Sequence, residues 1–529
     1  MRAKFLLGGM LAALVCSTGV ALAQKSGGVL KMYHRDNPPT LSIHETATNS
    51  TVIPIMPVMN NLVLFDQSKP QNGPDSIVPD LAKSWSWSAD GKDLTFKLQD
   101  GVKWHDGKPF SAKDVVCTFD LLQGKVEPKL RANPRASWYT NVESVTADND
   151  LQATIHLKRP QPSMLTLLAS GYSPMYACHV PAPQMRTKPI GTGPFKFVEF
   201  KQNEGVKIAR NPDYWKKGKP YLDGIEFTIV PNRGTAVLSF VAGRFDITFP
   251  WEVTLPLLKD IKSQLPNAQC QTTSMNNNTN LIVNRDAPPF DNPDLRRALV
   301  LALDRKAFID ILNQGDAQEG GTMQPLKDGI WGMPEAMLHS VPGYGADVDK
   351  NREEARALMK KVGYGPDKHL KLKIATRGIS LYKDPAVILA SQLKDIWIDA
   401  DVDIIETTQW FPKVARKDYS VGLNTTGNGV DDPDQNFFEN FSCKSERNYT
   451  GYCNPEIDKL SEVQSQETDI EKRKKIVWEI DKKLLEDGAR PVIMWNRAAI
   501  CMQPYVKGYV ANVNSVYNGF RFEDVWLDK

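Results

Sequence analysis

The residues best placed to do chemistry lie in one short stretch, Asn424 to Phe438, NTTGNGVDDPDQNFF. Asp431, Asp432 and Asp434 crowd around Pro433, and Asn428 sits just upstream between two glycines. A buried cation requires a carboxylate partner, so these side chains are candidates to receive a positively charged group. The same residues also make solvent-facing turns for purely local reasons, and both readings stand on sequence alone. Arg377 follows the apolar run Leu370 to Ala375, where its fork can clasp a carboxylate or simply end a strand at the surface. Trp251, Trp410 and Trp495 each offer a broad apolar face with one polar handle. The chain has 12 tryptophans, so the alternative for each is the core.

Catalytic constellations do not emerge. The chain lacks HExxH, CxxC, the phosphate-binding P-loop pattern and the GxSxG elbow. Its seven histidines are far apart in sequence, and Gly427-Asn428-Gly429 reads as a turn rather than a dinucleotide loop. No cofactor and no metal are expected.

The elements that must hold such residues alternate between strand and helix patterns, the mark of α/β lobes. Leu94, Phe96 and Leu98 alternate with polar residues, and turn chemistry flanks them at Ala89-Asp90-Gly91 and Asp100-Gly101. Asp106-Gly107 adds a second hairpin signal. Ser111 and Asp114 then form a variant capping box before Val115, Phe119 and Leu122. Further helices are predicted after Asn292-Pro293, around Ala355 to Val362 with a stop at Gly363, and over Ile457 to Val463 and Ile476 to Leu484. Short apolar runs at 225–230, 370–375, 402–405 and 492–495 read as strands. No Gly/Ser linker appears, so crossing strands are expected to join the lobes.

The N-terminus reads as an export signal: Arg2 and Lys4, an apolar stretch from Phe5 to Val20, and Ala21-Leu22-Ala23 before a cleavage point at Gln24. Val15 before Cys16 is bulky for a lipid attachment site. Removing residues 1–23 lowers the formal charge from +3 to +1, which argues against nucleic acid as a partner. The remaining length exceeds one hydrophobic core. An oxidising compartment permits disulfides. Cys443 and Cys453 flank a polar segment able to close a loop, with two free thiols as the alternative. Cys117, Cys178, Cys270 and Cys501 read as small buried hydrophobes.

The block Leu81 to Leu122, LAKSWSWSADGKDLTFKLQDGVKWHDGKPFSAKDVVCTFDLL, resembles the signature of extracellular solute-binding proteins of the peptide/nickel ABC transporter family, family 5. Ile190 to Phe195 with Asn211 to Trp215, and Asp291 to Asp304, extend the resemblance in the same order. The ligand-region stretch followed by the Cys443–Cys453 loop is most similar to the dipeptide-binding branch. The resemblance implies a periplasmic-binding-protein-like α/β fold of two lobes plus an inserted part. Segments 24–50, 191–270 and 490–529 would form the first lobe, 51–190 the insertion and 271–489 the remaining lobe. It further implies a non-enzymatic, monomeric periplasmic subunit that hands di- or oligopeptides to membrane permease subunits. Rival cargoes are a sugar oligomer, an opine-like or aromatic acid, or chelated nickel; the rival of another class is an exported hydrolase. Two departures stand out. Ser42 replaces a frequent Asp, and Gly429 occupies the position four before the proline where peptide binders carry the acid that accepts an α-ammonium. Either Asp431 takes that role or the cargo lacks a free amine.

Overall fold

A computed structural model describes residues 24–345 and 347–529. The expected export signal, residues 1–23, lies outside the described residues. Three sheets of four or five strands organise the described residues, with two short two-stranded pairs beside them. In the first lobe, Val29–His34 runs parallel to Gly224–Ile229, which continues antiparallel into Gly205–Arg210 and Phe195–Lys201. The inserted part has an antiparallel sheet of Ala82–Trp87, Asp93–Leu98, Gln152–Leu157 and Val142–Asn149. Its alternation is the predicted one: Leu94, Phe96 and Leu98 are all fully buried. The helix Ala112–Leu122 follows, and the Asp114 carboxylate accepts from the Ser111 N–H at 2.8 Å, the returning half of a capping box.

His105 ties this block to the first lobe. Its Nε2 lies 3.0 Å from the Gly193 carbonyl, and its backbone N–H donates to the Gly191 carbonyl at 2.9 Å. Both glycines are required by space. A Cβ at Gly191 would come within 1.9 Å of the Val58 carbonyl oxygen, and one at Gly193 within 2.5 Å of that of Pro57. One continuous core runs through the first lobe and the insertion, whereas the other lobe has its own.

The second lobe is built on the sheet Ile398–Ile405, Leu370–Arg377, Val421–Gly427, Gln269–Val283 and Val492–Met502. The first three strands are parallel, as βαβ crossovers require; helix Ser380–Leu393 packs on them, and Pro293–Ala302 and Val348–Lys361 pair with each other over the same core. Asn292 caps the first of these helices by accepting from the Asp294 N–H, the start its sequence predicts.

The last two strands of the sheet are long and leave the lobe together. Gln269–Ser274 pairs with Arg497–Met502 beside the first lobe, and 278–280 pair with 492–495 inside the second. A register shift separates the two halves, and Asn276 there has φ 51°. Ile247 of the first lobe bridges Met32 on one side and Met502 on the other, which welds the strand end into that lobe. Crossing strands, not a tether, therefore join the lobes.

The cysteines correct one expectation. Cys443 and Cys453 pair as predicted, with Cα atoms 4.4 Å apart. Cys117 and Cys178, and Cys270 and Cys501, are disulfide-bonded too, rather than lone buried thiols. Their separations of 61 and 231 residues hide the pairing from any local reading.

Candidate functional site

The two lobes meet over a narrow cavity of about 30 Å³, room for about two waters. The first lobe contributes Arg35, the segment 47–49, Val516 and Tyr517; the second contributes the rest. Arg35 stands at the end of Val29–His34, where the strand delivers it to the interface. It pairs with Glu252 at 3.3 Å. Arg377 is the last residue of Leu370–Arg377 and is 2% exposed. It donates to Asp36 of the first lobe at 2.9 Å, to Thr407 at 2.8 and 3.1 Å, and to the Tyr382 hydroxyl at 2.9 Å. Asp36 also accepts from Thr407 at 2.6 Å and from Ser50 at 2.5 Å. Burial alone would raise the Asp36 carboxyl, but Arg377 and Arg35 hold it below the usual carboxylate range. This ion pair is a latch across the cleft.

Arg447 and Tyr449 reach the cavity from inside the Cys443–Cys453 loop. Arg447 pairs with Glu439, which also accepts from the Trp138 indole of the insertion at 2.9 Å. Asn277, Asn424 and Thr425 add neutral polar groups; Phe411 and the rings of Tyr382, Tyr449 and Tyr517 supply apolar surface. Burial would raise the Tyr382 hydroxyl, yet Arg377 and Arg35 bring it below its ordinary value.

Of the side chains singled out from sequence, Arg377 lines this cavity. Asp432 caps the helix Pro433–Asn440 and receives both Arg473 Nη atoms, at 2.8 and 2.9 Å. Asp434 is fully buried and accepts from Ser163 at 2.5 Å and Gln161 at 3.1 Å of the insertion, and from Gln464 at 2.5 Å and Ser465 at 2.6 Å of the second lobe. Both carboxylates thus fasten structure to structure. Asp431 is half-buried, with Asn514 3.3 Å from one oxygen and the other oxygen buried without a partner. Burial, the main cause, pushes its carboxyl up to about 7. Asn428 is buried between Asn276 and Val516, bonded through its backbone. Trp410 lies under Tyr449 in an apolar cluster. Trp495 is buried and donates to the Gly321 carbonyl at 2.9 Å. Trp251, edge-on to Phe520, borders a separate groove of about 200 Å³ with Arg233, Met275 and Asn496.

Sequence reasoning missed Arg35, Arg447 and the tyrosines. The loop that carries Arg447 was visible through its cysteines, but its polar residues gave no sign of facing a cleft. Among the described residues, no group of three or more His, Cys, Asp or Glu side chains is placed to hold a metal ion.

Similar proteins place this architecture. The "Probable di/tripeptide-binding protein 5" of Pseudomonas aeruginosa is 27% identical over 487 residues, covering 86% of this chain and 88% of that protein. The solved OppA of Haemophilus influenzae in complex with RPPGFSPFR has a TM-score of 0.85 at 22% identity, covering 96% of this chain and 99% of that one. DppA from Helicobacter pylori in complex with peptide STSA has a TM-score of 0.83 at 22% identity, with the same coverage. These two structures share the fold of two lobes about a cleft. Residues 76–448 match the "Bacterial extracellular solute-binding proteins, family 5 Middle". The chain belongs to the family 5 extracellular solute-binding proteins.

Proposed function

We propose that this protein is the exported, monomeric solute-receiving subunit of an ABC importer, with a peptide-class cargo. The observation that carries the reading is the cavity between two lobes that are joined by crossing strands and latched by Asp36 and Arg377. The cargo enters with the lobes apart, and their rotation about the strands buries it. The closed form is then read by permease subunits, and ATP hydrolysis belongs to a separate partner. Closure is favoured by the cargo's higher affinity for the closed state. The peptide class is supported by the names of the similar proteins and by a wall that mixes neutral hydrogen-bonding groups with tyrosine faces. Arg377 is placed to hold a carboxylate through its fork once the lobes part. No step in this cycle alters the cargo.

The test is a titration of purified protein with mixtures of free and N-acylated di- and tripeptides, followed by tryptophan fluorescence and small-angle scattering. Saturable fluorescence change with compaction, and recovery of the peptide chemically unchanged, are the expected results. Absence of any response, or conversion of the peptide, refutes the proposal.

A further inference from the structure

The cavity is unbalanced in charge. Arg35, Arg377 and Arg447 form part of its lining, and no aspartate or glutamate does. The carboxylates behind the wall are already engaged. Asp36 serves Arg377, Thr407 and Ser50; Glu252 is divided between Arg35 and Arg233; Glu439 takes Arg447, Trp138 and Gln435. Arg233 also approaches Asp384 at 3.9 Å, so that outer pair adds no net charge.

Two more guanidiniums stand behind the aromatic wall. Arg135 lies 5.9 Å from the Tyr517 ring centroid, and Arg490 lies 5.8 Å from that of Tyr449. Neither forms a salt bridge with a described carboxylate. Arg135 rests on the Tyr172 ring at 3.2 Å and donates to the Thr46 carbonyl. Arg490 donates to Thr426, Asn440 and the Arg447 carbonyl, all neutral. Burial, with Arg447 beside it, pushes the Arg490 guanidinium down to about 10. Five arginines thus surround the cleft floor against three inward carboxylates.

Unused donors accompany the surplus. The Nε atoms of Arg35 and Arg447, which are 6% and 3% exposed, have no hydrogen-bond partner, and the same holds for Nε of Arg135 and Arg490. Buried guanidinium N–H groups without an acceptor are costly, and anionic oxygens are the groups that satisfy them best. A primary ammonium would instead add a cation to a cluster already in excess, with only neutral acceptors facing it.

Resting on the importer reading above, we infer that the cargo is an anion without a free primary ammonium, of the chemistry of an N-acylated acidic dipeptide. Its carboxylates take the donors of Arg35, Arg377 and Arg447, the arginines that line the cavity, and its amides take the neutral polar wall; Arg135 and Arg490 add positive potential from behind the rings.

The test is calorimetric titration of the exhaustively dialysed, disulfide-intact protein with N-acetyl-Ala-Glu, Ala-Glu, Ala-Ala and glutarate. The expected result is that N-acetyl-Ala-Glu binds at least tenfold more tightly than Ala-Glu, with Ala-Ala weaker still. Glutarate binding without either alanyl-glutamate would keep the anion inference and refute the peptide class. Free-amine dipeptides binding as tightly as the acetylated one would overturn the inference and leave the importer reading standing. Failure of all four probes to bind would overturn both.

Discussion

Replacing Arg377 by methionine removes the second lobe's half of the cross-cleft latch. In the closed arrangement the guanidinium makes its 2.9 Å ion pair with Asp36 and bonds to Thr407 and Tyr382. Removing one partner of a buried pair costs about 3–5 kcal/mol, because the other charge is stranded. Asp36 would keep Ser50, Thr407 and a distant Arg35 at 3.8 Å, so the lower end of that range applies. The open form does not share the loss, since water solvates Asp36 once the lobes part. At about 1.4 kcal/mol per tenfold, a loss of about 3 kcal/mol lowers the closed-to-open ratio roughly 100-fold. Apparent affinity falls in the same proportion once the closed form becomes the minor one. Small-angle scattering of the unliganded variant reads the opening as a larger radius of gyration, and calorimetry reads the affinity. Tyr382→Phe, which removes one acceptor from the same arginine, should cost only about 1 kcal/mol. A variant whose scattering profile and affinity stay within threefold of the parent would refute the latch.

Three further outcomes are expected. Asp434→Ala strands the donors Ser163, Gln161, Gln464 and Ser465 between the insertion and the second lobe; a loss of about 3–5 kcal/mol in denaturant unfolding is expected, with faster amide exchange near Ser163, and a loss under 1 kcal/mol contradicts the hub. Serine replacement of each cysteine pair should destabilise in the order Cys270–Cys501, Cys117–Cys178, Cys443–Cys453, because the closed loops span 231, 61 and 10 residues; chain entropy gives about 5, 4 and 3 kcal/mol, and thermal scans showing the reverse order would refute it. The Asp431 carboxyl is held at about 7, against about 3.9 in the unfolded chain. Below pH 4 both states are protonated; as pH rises from 4 to 7 only the unfolded chain ionises, so stability is lost over that window and stays lost above it. Asp431→Asn is therefore expected to stabilise by about 3–4 kcal/mol at pH 8 and not at all at pH 4, measured by urea unfolding; destabilisation at pH 8 would sink the assignment.

Elements with strong local periodicity were legible. Asp93–Leu98 and the helices Pro293–Ala302 and Ile470–Glu486 sit where alternation and caps put them, because their own residues decide them. The crossing strand Gln269–Val283 was not legible, since its run Asn276-Asn277-Asn278-Thr279-Asn280 looks like loop. Those polar side chains are buried where neighbours in the same and in adjacent strands take most of their hydrogen bonds. Asn280 donates to Asn278 and Thr426, and Asn496 donates to Asn277 and Thr279. The aspartates around Pro433 illustrate the converse. Their type announces charge chemistry, but their partner Arg473 lies about 40 residues on, and nothing local reveals it. Arg447 was hidden for the same reason: a polar loop turns inward only when the facing lobe covers it.

The paired strands Gln269–Val283 and Val492–Met502 behave as a leaf spring with a pre-bent point. Their pairing is out of step between Ser274 and Asn278, and Asn276 already holds the left-handed backbone that a bend demands. The Cys270–Cys501 bridge staples the half that belongs to the first lobe, so flexure cannot migrate along the ribbon. The swing is thereby confined to a single arc, and each return brings the same two faces into the same alignment, whatever molecule has just been released.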